Sequence, residues 1–110
     1  MMPDLSPDII ARRALRLIHP DGTTLPVEVL FLRPVPTGEN GDFRCTFFIR
    51  GFDEDQSFHS FGVDAVQALL LAFQAAGAFL QQSICANNQL RLEWLEDRED
   101  LGFPTKIDYR

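Results

Sequence analysis

The stretch GVDAVQALLLAFQAAGAFLQQSI, residues 62–84, decides the fold of this chain. Residues 65–90, which overlap this stretch, contain no charged side chain. They are rich in Ala and Leu, which are strong helix formers. Asp64 and Gln67 have the three-residue spacing of a capping box, in which both side chains bind backbone N–H groups at the start of a helix. The stretch therefore predicts one long helix from Asp64 to about Ile84.

Two apolar faces of different size run along this helix, beside a stripe of glutamines. At 100° per residue the stripe is formed by Gln67, Gln74 and Gln81. The large-residue face consists of Val66, Leu69, Leu70, Phe73, Leu80 and Ile84. The small-residue face consists of Ala65, Ala68, Ala72, Ala75 and Ala76, with Phe79 as its large member. We expect the large-residue face to cover a sheet, and the small-residue face either to be exposed or to meet a second surface at close range.

The uncharged interval also has to be weighed as a membrane span, which needs about 20 predominantly apolar residues. Glutamines interrupt it, and no apolar run in it exceeds six residues. Its flanks lack the basic residues that fix the orientation of a span. We therefore expect a buried helix and no contact with a membrane.

The rest of the chain has the alternating apolar and polar pattern of antiparallel strands, divided by turn residues. The predicted strands cover residues 10–18, 27–33, 43–50, 56–61 and 90–95, and residues 34–41, rich in Pro and Gly, predict a loop. Near the end of the chain, Phe103 is expected to fold back against the body. The sequence thus predicts an α+β fold in which a four- to five-stranded antiparallel sheet packs against one long helix. A single domain spans residues 1–110, with residues 1–8 and 105–110 expected to be frayed.

The outward face of this predicted sheet combines charges with apolar side chains. Its charged residues are Arg12, Arg16, Glu28, Arg44 and Arg50. A solvated face with charge pairs is the commoner interpretation, and an arginine patch for an anionic ligand is the alternative. Leu30, Leu32 and Phe48 share the face and predict an apolar contact surface. The complete set of interface candidates is Leu30, Leu32, Phe48, Ala68, Ala72 and Phe79.

Composition and charge narrow the classes of protein. The 110 residues carry a net charge of −6, and the whole acidic excess lies in residues 51–110. A surface with few Lys and Arg side chains disfavours nucleic-acid binding and suits solubility or a basic protein partner. Cys45 and Cys85 stand far apart, and the first eight residues do not read as a signal peptide, so a reducing cytoplasm with free thiols is expected. Nine Arg to one Lys is typical of a GC-rich bacterial genome.

No pattern in the sequence predicts catalysis, a metal or a cofactor. The four candidate metal ligands, His19, His59, Cys45 and Cys85, lack the spacing of a metal site. Ser57 and His59 share a strand face at about 7 Å, too far apart for a direct hydrogen bond, since alternate residues on a strand are separated by two rises. The nucleophile elbow, the dinucleotide fingerprint and the phosphate loop are absent from the sequence. We therefore expect a protein that is not an enzyme and binds neither metal nor cofactor.

The segment FGVDAVQALLLA, residues 61–72, is similar to one in a family of small bacterial proteins in which strands lead into a Gly-Val-Asp-x-x-Gln-Ala-Leu helix. Residues 94–95 and 100–104 also resemble the closing segment of that family, so the resemblance extends over roughly residues 10–105. It implies a shared small α+β fold. It implies no activity and no site residue, because the family is known as a domain of unknown function.

Two hypotheses about function follow. The first is a non-catalytic protein-interaction module, either a homodimer or a protein that regulates or neutralises a basic partner. The second is a small-ligand-binding protein or minor enzyme that uses a pocket between helix and sheet, with His59, Gln67 and Gln74 as the polar contacts. The apolar surfaces and the acidic second half of the chain favour the first.

Overall fold

The computed structural model describes residues 8–38, 41–86, 89–95 and 100–104. Its elements are β1 (Ile9–Ile18), β2 (Thr24–Leu32), β3 (Val35–Pro36), β4 (Phe43–Arg50), β5 (Gln56–Gly62), α1 (Ala65–Ala86) and β6 (Arg91–Glu93). An open antiparallel sheet packs against a single helix, which confirms the predicted α+β fold. The segments expected to be frayed lie outside the described residues, apart from Asp8.

The four longest strands, β1, β2, β4 and β5, lie side by side in chain order. β1 pairs with β2, β2 with β4, and β4 with β5, all antiparallel. α1 then carries the chain back across the sheet, so that β6 pairs with the free edge of β1. The loop expected at residues 34–41 contains β3, which pairs with β4 at Arg44 and Phe43. Local Pro and Gly content did not predict this pairing, because a two-residue strand depends on the neighbouring strand.

The helix packs on the sheet through parts of both apolar faces, so the expectation that its large-residue face covers the sheet is confirmed only in part. Leu80 is 0% exposed and Leu69, Phe73 and Ile84 pack against the core, but Val66 and Leu70 do not. Ala68, Ala72 and Ala76 are 0% exposed, whereas Val66 is 66% and Leu70 37% exposed. The physical reason is that the strands supply the bulky core side chains. Alanines opposite them let the helix backbone approach the sheet closely while the interior stays densely packed.

Aromatic rings fill the layer between helix and sheet. The ring of Phe31 on β2 lies 4.7 Å from that of Phe73 on α1, edge to face. Phe58 on β5 lies 5.1 Å from Phe47 and 4.9 Å from Phe79, measured between ring centroids. Such pairs contribute about 0.5–1.5 kcal/mol each beyond their buried area. The two helix phenylalanines therefore fix the position of α1 over β2 and β5.

The start of α1 has the capping arrangement that the sequence predicts. The backbone N–H of Gln67 donates to Asp64 Oδ1 at 2.8 Å, and the N–H of Val63 donates to Gln67 Oε1 at 2.7 Å. The Gln67 side chain thus reaches the residue before the cap. Gly62 ends β5 where the first turn of the helix lies against it, and a Cβ there would stand 2.4 Å from the Ala68 nitrogen.

Arg13 holds the closing segment, residues 100–104, on the sheet. It lies on the inner face of β1, opposite Val29. Its guanidinium carbon is 3.9 Å from the centroid of the Trp94 ring and 5.0 Å from that of Phe103, and it donates a hydrogen bond to the Leu101 carbonyl. Burial lowers the pKa of Arg13, and the Asp100 carboxylate opposes this shift. Phe103 packs against the core, as expected.

We predict that Arg13→Met lowers the free energy of unfolding by about 1–3 kcal/mol, because it removes the cation from two rings and a charged hydrogen bond. Urea unfolding followed by Trp94 fluorescence measures the change. The neighbouring Arg12→Met is the control, since the side chain of Arg12 is 56% exposed and its pair with Glu28 has an N–O distance of 3.5 Å. It should change stability by less than about 0.5 kcal/mol. Equal losses in the two variants would contradict the role given to Arg13.

Candidate functional site

The sheet face opposite the helix, here called the open face, is covered by no other element among the described residues. Its centre is the cross-strand pair of Leu30 and Phe48. Leu30 is only 1% exposed although it points away from the helix-side core, because neighbouring side chains on the open face cover it. Phe48 and Leu32 are half-buried. The three apolar residues predicted for this face therefore do lie on it.

Ion pairs surround this apolar centre. Arg12 pairs with Glu28, and Arg16 pairs with the Glu93 that lies opposite it on β6. At the end of β4, Arg50 Nε is 4.0 Å from Asp55 Oδ2. Most arginines of this face are thus matched by a carboxylate, which agrees with the predicted solvated face with charge pairs. The same pairing weakens the alternative of an arginine patch for an anionic ligand.

The margins of the open face carry further accessible side chains. Phe61, opposite Arg44, is 57% exposed, and Ile10 is 49% exposed. Ala14 is exposed between the two ion-paired arginines of β1. His59 is exposed on β5, where its Nδ1 lies 2.8 Å from Thr46 Oγ1. His59 therefore belongs to the open face.

Three of the six predicted interface residues lie elsewhere. Ala68 and Ala72 are fully buried between the helix and the sheet, so they are not accessible to a partner in the folded chain. Phe79 is half-buried and packs against Phe58, with the two rings tilted by 56°. The reason for the mismatch is the helix orientation described above, because the face assigned to a partner is the face that meets the sheet.

A cavity of about 680 Å³ opens between the C-terminal part of α1 and the end of the sheet. Its apolar walls are Leu17, Leu25, Phe52, Phe79 and Leu90. The polar lining residues come from two turns, from β5, from the helix and from the segment after it. They are His19, Asp53, Glu54, Gln56, Ser83 and Gln89. This is the pocket between helix and sheet that the second hypothesis requires.

The polar residues predicted for such a pocket do not line it. His59 lies on the open face, Gln67 caps the helix start, and Gln74 borders a separate cavity of about 290 Å³ beside the closing segment. Sequence reasoning missed Gln56 and Ser83 instead. One indication was present in the strand alternation, because Gln56 occupies an inward position two residues before Phe58.

The thiol of Cys45 lies in the core and is 0% exposed. It donates to the Leu32 carbonyl at a sulfur–oxygen distance of 3.4 Å. Burial raises the pKa of the Cys45 thiol to about 11, so this group is protonated and a poor nucleophile at neutral pH. Within the described residues, no group of three or more His, Cys, Asp or Glu side chains could hold a metal ion. Nor is any helix in that part of the chain long and apolar enough to cross a membrane.

These features define a small α+β protein with one helix on an open antiparallel sheet, one exposed sheet face and one cavity at the end of the helix. The chain belongs to the family described as a domain of unknown function, DUF6968, whose model matches residues 11–105. No curated protein and no solved structure compared with the chain matches it. Membership of this family assigns the chain to a known type of domain but gives no role, so a role has to be inferred from the open face and the cavity.

Proposed function

We propose that this protein is a non-catalytic protein-interaction module that self-associates through its open face. The single observation that carries the proposal is a sheet face that no other described element covers, on which Phe48 and Leu32 are half-buried and Phe61 is 57% exposed. A sheet normally buries one or both faces, and an accessible face with an apolar centre and a polar rim is typical of a protein contact.

The distribution of charge favours a second copy of the chain as the partner of the open face. The chain carries a net charge of −6, so two copies repel each other over most orientations. Carboxylates on the open face are matched by arginines, as in Arg12–Glu28 and Arg16–Glu93. Among the described residues, the acids without an ion pair include Asp21, Asp42, Asp53, Glu54 and Asp64, which lie in turns and at the helix start, away from this face. Arg44 and Arg91 have no ion-pair partner among the described residues, so each open face carries a small positive excess, and two such faces repel each other less than the net charge of the whole chains implies.

The dimensions of the open face also suit a small homodimer. Four neighbouring strands of seven to ten residues form its main area. At about 4.8 Å between strands and about 3.3 Å per residue, that area is about 500 Å² in projection. Specific interfaces bury about 600 Å² or more per partner, measured over the contours of the side chains. A two-fold pairing of the two faces would also close the interface and prevent further growth.

Light scattering over a hundredfold range of concentration tests this proposal. We expect a mass of about 25 kDa, twice the 12.5 kDa of the chain. Ala14→Arg should shift the mass toward that of the monomer, because it places a long cation on an exposed position of the open face. The control is Ala78→Arg, the same substitution at an exposed alanine of the helix, which should remain dimeric.

A mass of 12.5 kDa at every concentration would refute self-association. Dissociation by Ala78→Arg but not by Ala14→Arg would place the interface on the helix instead of the sheet. Both variants should melt within a few degrees of the parent protein, which separates loss of the interface from loss of the fold.

A further inference from the structure

The cavity at the end of α1 is separate from the open face, since it lies on the helix side of the sheet. Its apolar lining residues, here called the floor, are Leu17, Leu25, Phe52, Phe79 and Leu90. Its volume of about 680 Å³ falls within the range of about 300–1,000 Å³ that is usual for small-molecule sites. The cavity can therefore receive the apolar body of a small ligand.

The charge at the rim of this cavity has one sign. Asp53 and Glu54 line it, and its described lining contains no Lys or Arg. Both acids are exposed, and the described part of the chain provides no ion-pair partner for either. The unmatched charge at this entrance therefore favours a positively charged group.

The last turn of α1 also borders the cavity. Ser83 lines the cavity within the last turn of α1, and that turn contains no basic residue. The C-terminal end of a helix carries a partial negative charge and interacts favourably with cations. The helix end, which is independent of the acidic turn, thus also favours a ligand with a positive charge.

We propose that this cavity binds a small organic cation, with its apolar body against the floor and its charged head between Asp53, Glu54 and the end of α1. Phenylalanine rings attract such cations through their π faces, most strongly where water is displaced. A divalent metal ion fits poorly, because it needs several converging oxygen ligands and the floor offers hydrocarbon. An organic anion would meet two carboxylates without a compensating cation.

Titration of the ¹⁵N-labelled protein with benzyltrimethylammonium chloride tests the proposal. We expect saturable shifts of the amide signals of residues 51–56 and of Ser83. The anion 3-phenylpropionate carries a similar ring with the opposite charge, and it should produce no saturable shift at these amides. Leu25→Trp should abolish binding of the cation, because Leu25 lines the cavity at 43% exposure and the larger ring would fill it.

Asp53→Asn and Glu54→Gln should each weaken binding of the cation about threefold, the loss expected for one nearby charge in water. Asp42→Asn makes the same change of charge in the turn before β4, away from the cavity, and should leave binding unchanged. Equal binding of the anion would overturn the proposal. Unchanged binding by a folded Leu25→Trp variant, confirmed by thermal melting, would also overturn it.

Discussion

Ala72→Glu is expected to abolish the cooperative unfolding transition of this protein. Ala72 is 0% exposed and belongs to the core that joins α1 to the sheet. A carboxylate placed there would either remain charged in an apolar interior or force the helix away from the strands. An unpaired buried charge costs several kcal/mol, comparable with the whole stability of a small domain of about 5–15 kcal/mol. Circular dichroism during thermal and urea unfolding measures the loss.

The matched control is Ala78→Glu, which makes the same substitution at an exposed position of the same helix. It should change the free energy of unfolding by less than about 0.5 kcal/mol, since Ala and Glu are both good helix formers. If Ala72→Glu unfolded like the parent protein, the small-residue face could not be the face that packs on the sheet. The large-residue face, as the sequence pattern suggests, would then have to cover it.

Gly62→Ala is expected to lower the free energy of unfolding by about 3 kcal/mol or more. A Cβ at Gly62 would lie 2.4 Å from the Ala68 nitrogen and 2.8 Å from the Gln67 carbonyl carbon. Both are backbone atoms of the first helical turn, so relief requires the helix to shift from β5. Overpacking of this kind typically costs about 1–3 kcal/mol, and displacing the capped helix start adds to it. Urea unfolding measures the effect.

Gly22→Ala separates this steric effect from the general cost of replacing glycine. Gly22 lies in the turn between β1 and β2 with a φ of 87°, and no atom lies within 4 Å of a Cβ built there. Its replacement should cost about 1–2 kcal/mol, the strain of a side chain in the left-handed region. A loss for Gly62→Ala no larger than that for Gly22→Ala would contradict the close approach of helix and strand.

Four residues of the run from Gly62 to Ala68 have a structural explanation, whereas Val63 and Val66 in the same run are 70% and 66% exposed. Gly62 admits the helix, Asp64 and Gln67 cap it, and Ala68 is 0% exposed against the sheet. Each of the four residue types is required by the junction between β5 and α1. These four residues therefore account for the fold and contribute nothing to either proposed binding surface.

The open face could be predicted from the sequence, whereas the cavity could not. Strand alternation places Leu30 and Phe48 on one face, because the two-residue period of a strand is local. The register that makes them direct partners comes from the pairing of β2 with β4. The cavity assembles side chains from the strand ends, two turns, the helix and the segment after it. No sequence period relates those segments, so residues such as Gln56 and Ser83 were missed.

By itself the sequence determined the elements other than β3, the capped start of the helix, the α+β class and the side of the sheet that each strand residue occupies. These properties depend on local periodicity and on backbone hydrogen bonding within a few residues. Only the tertiary structure decided which part of the helix surface is buried and what Arg13 contacts. From helix periodicity alone, the face with the largest apolar side chains is expected to be buried. The sheet, however, contributes Phe31 and Phe47 to the core, so that alanines of the helix fit the space left between helix and sheet. Strand alternation places Arg13 on the same side as Leu15 and Leu17, but only the fold brings Trp94 and Phe103, both distant in the chain, onto its guanidinium.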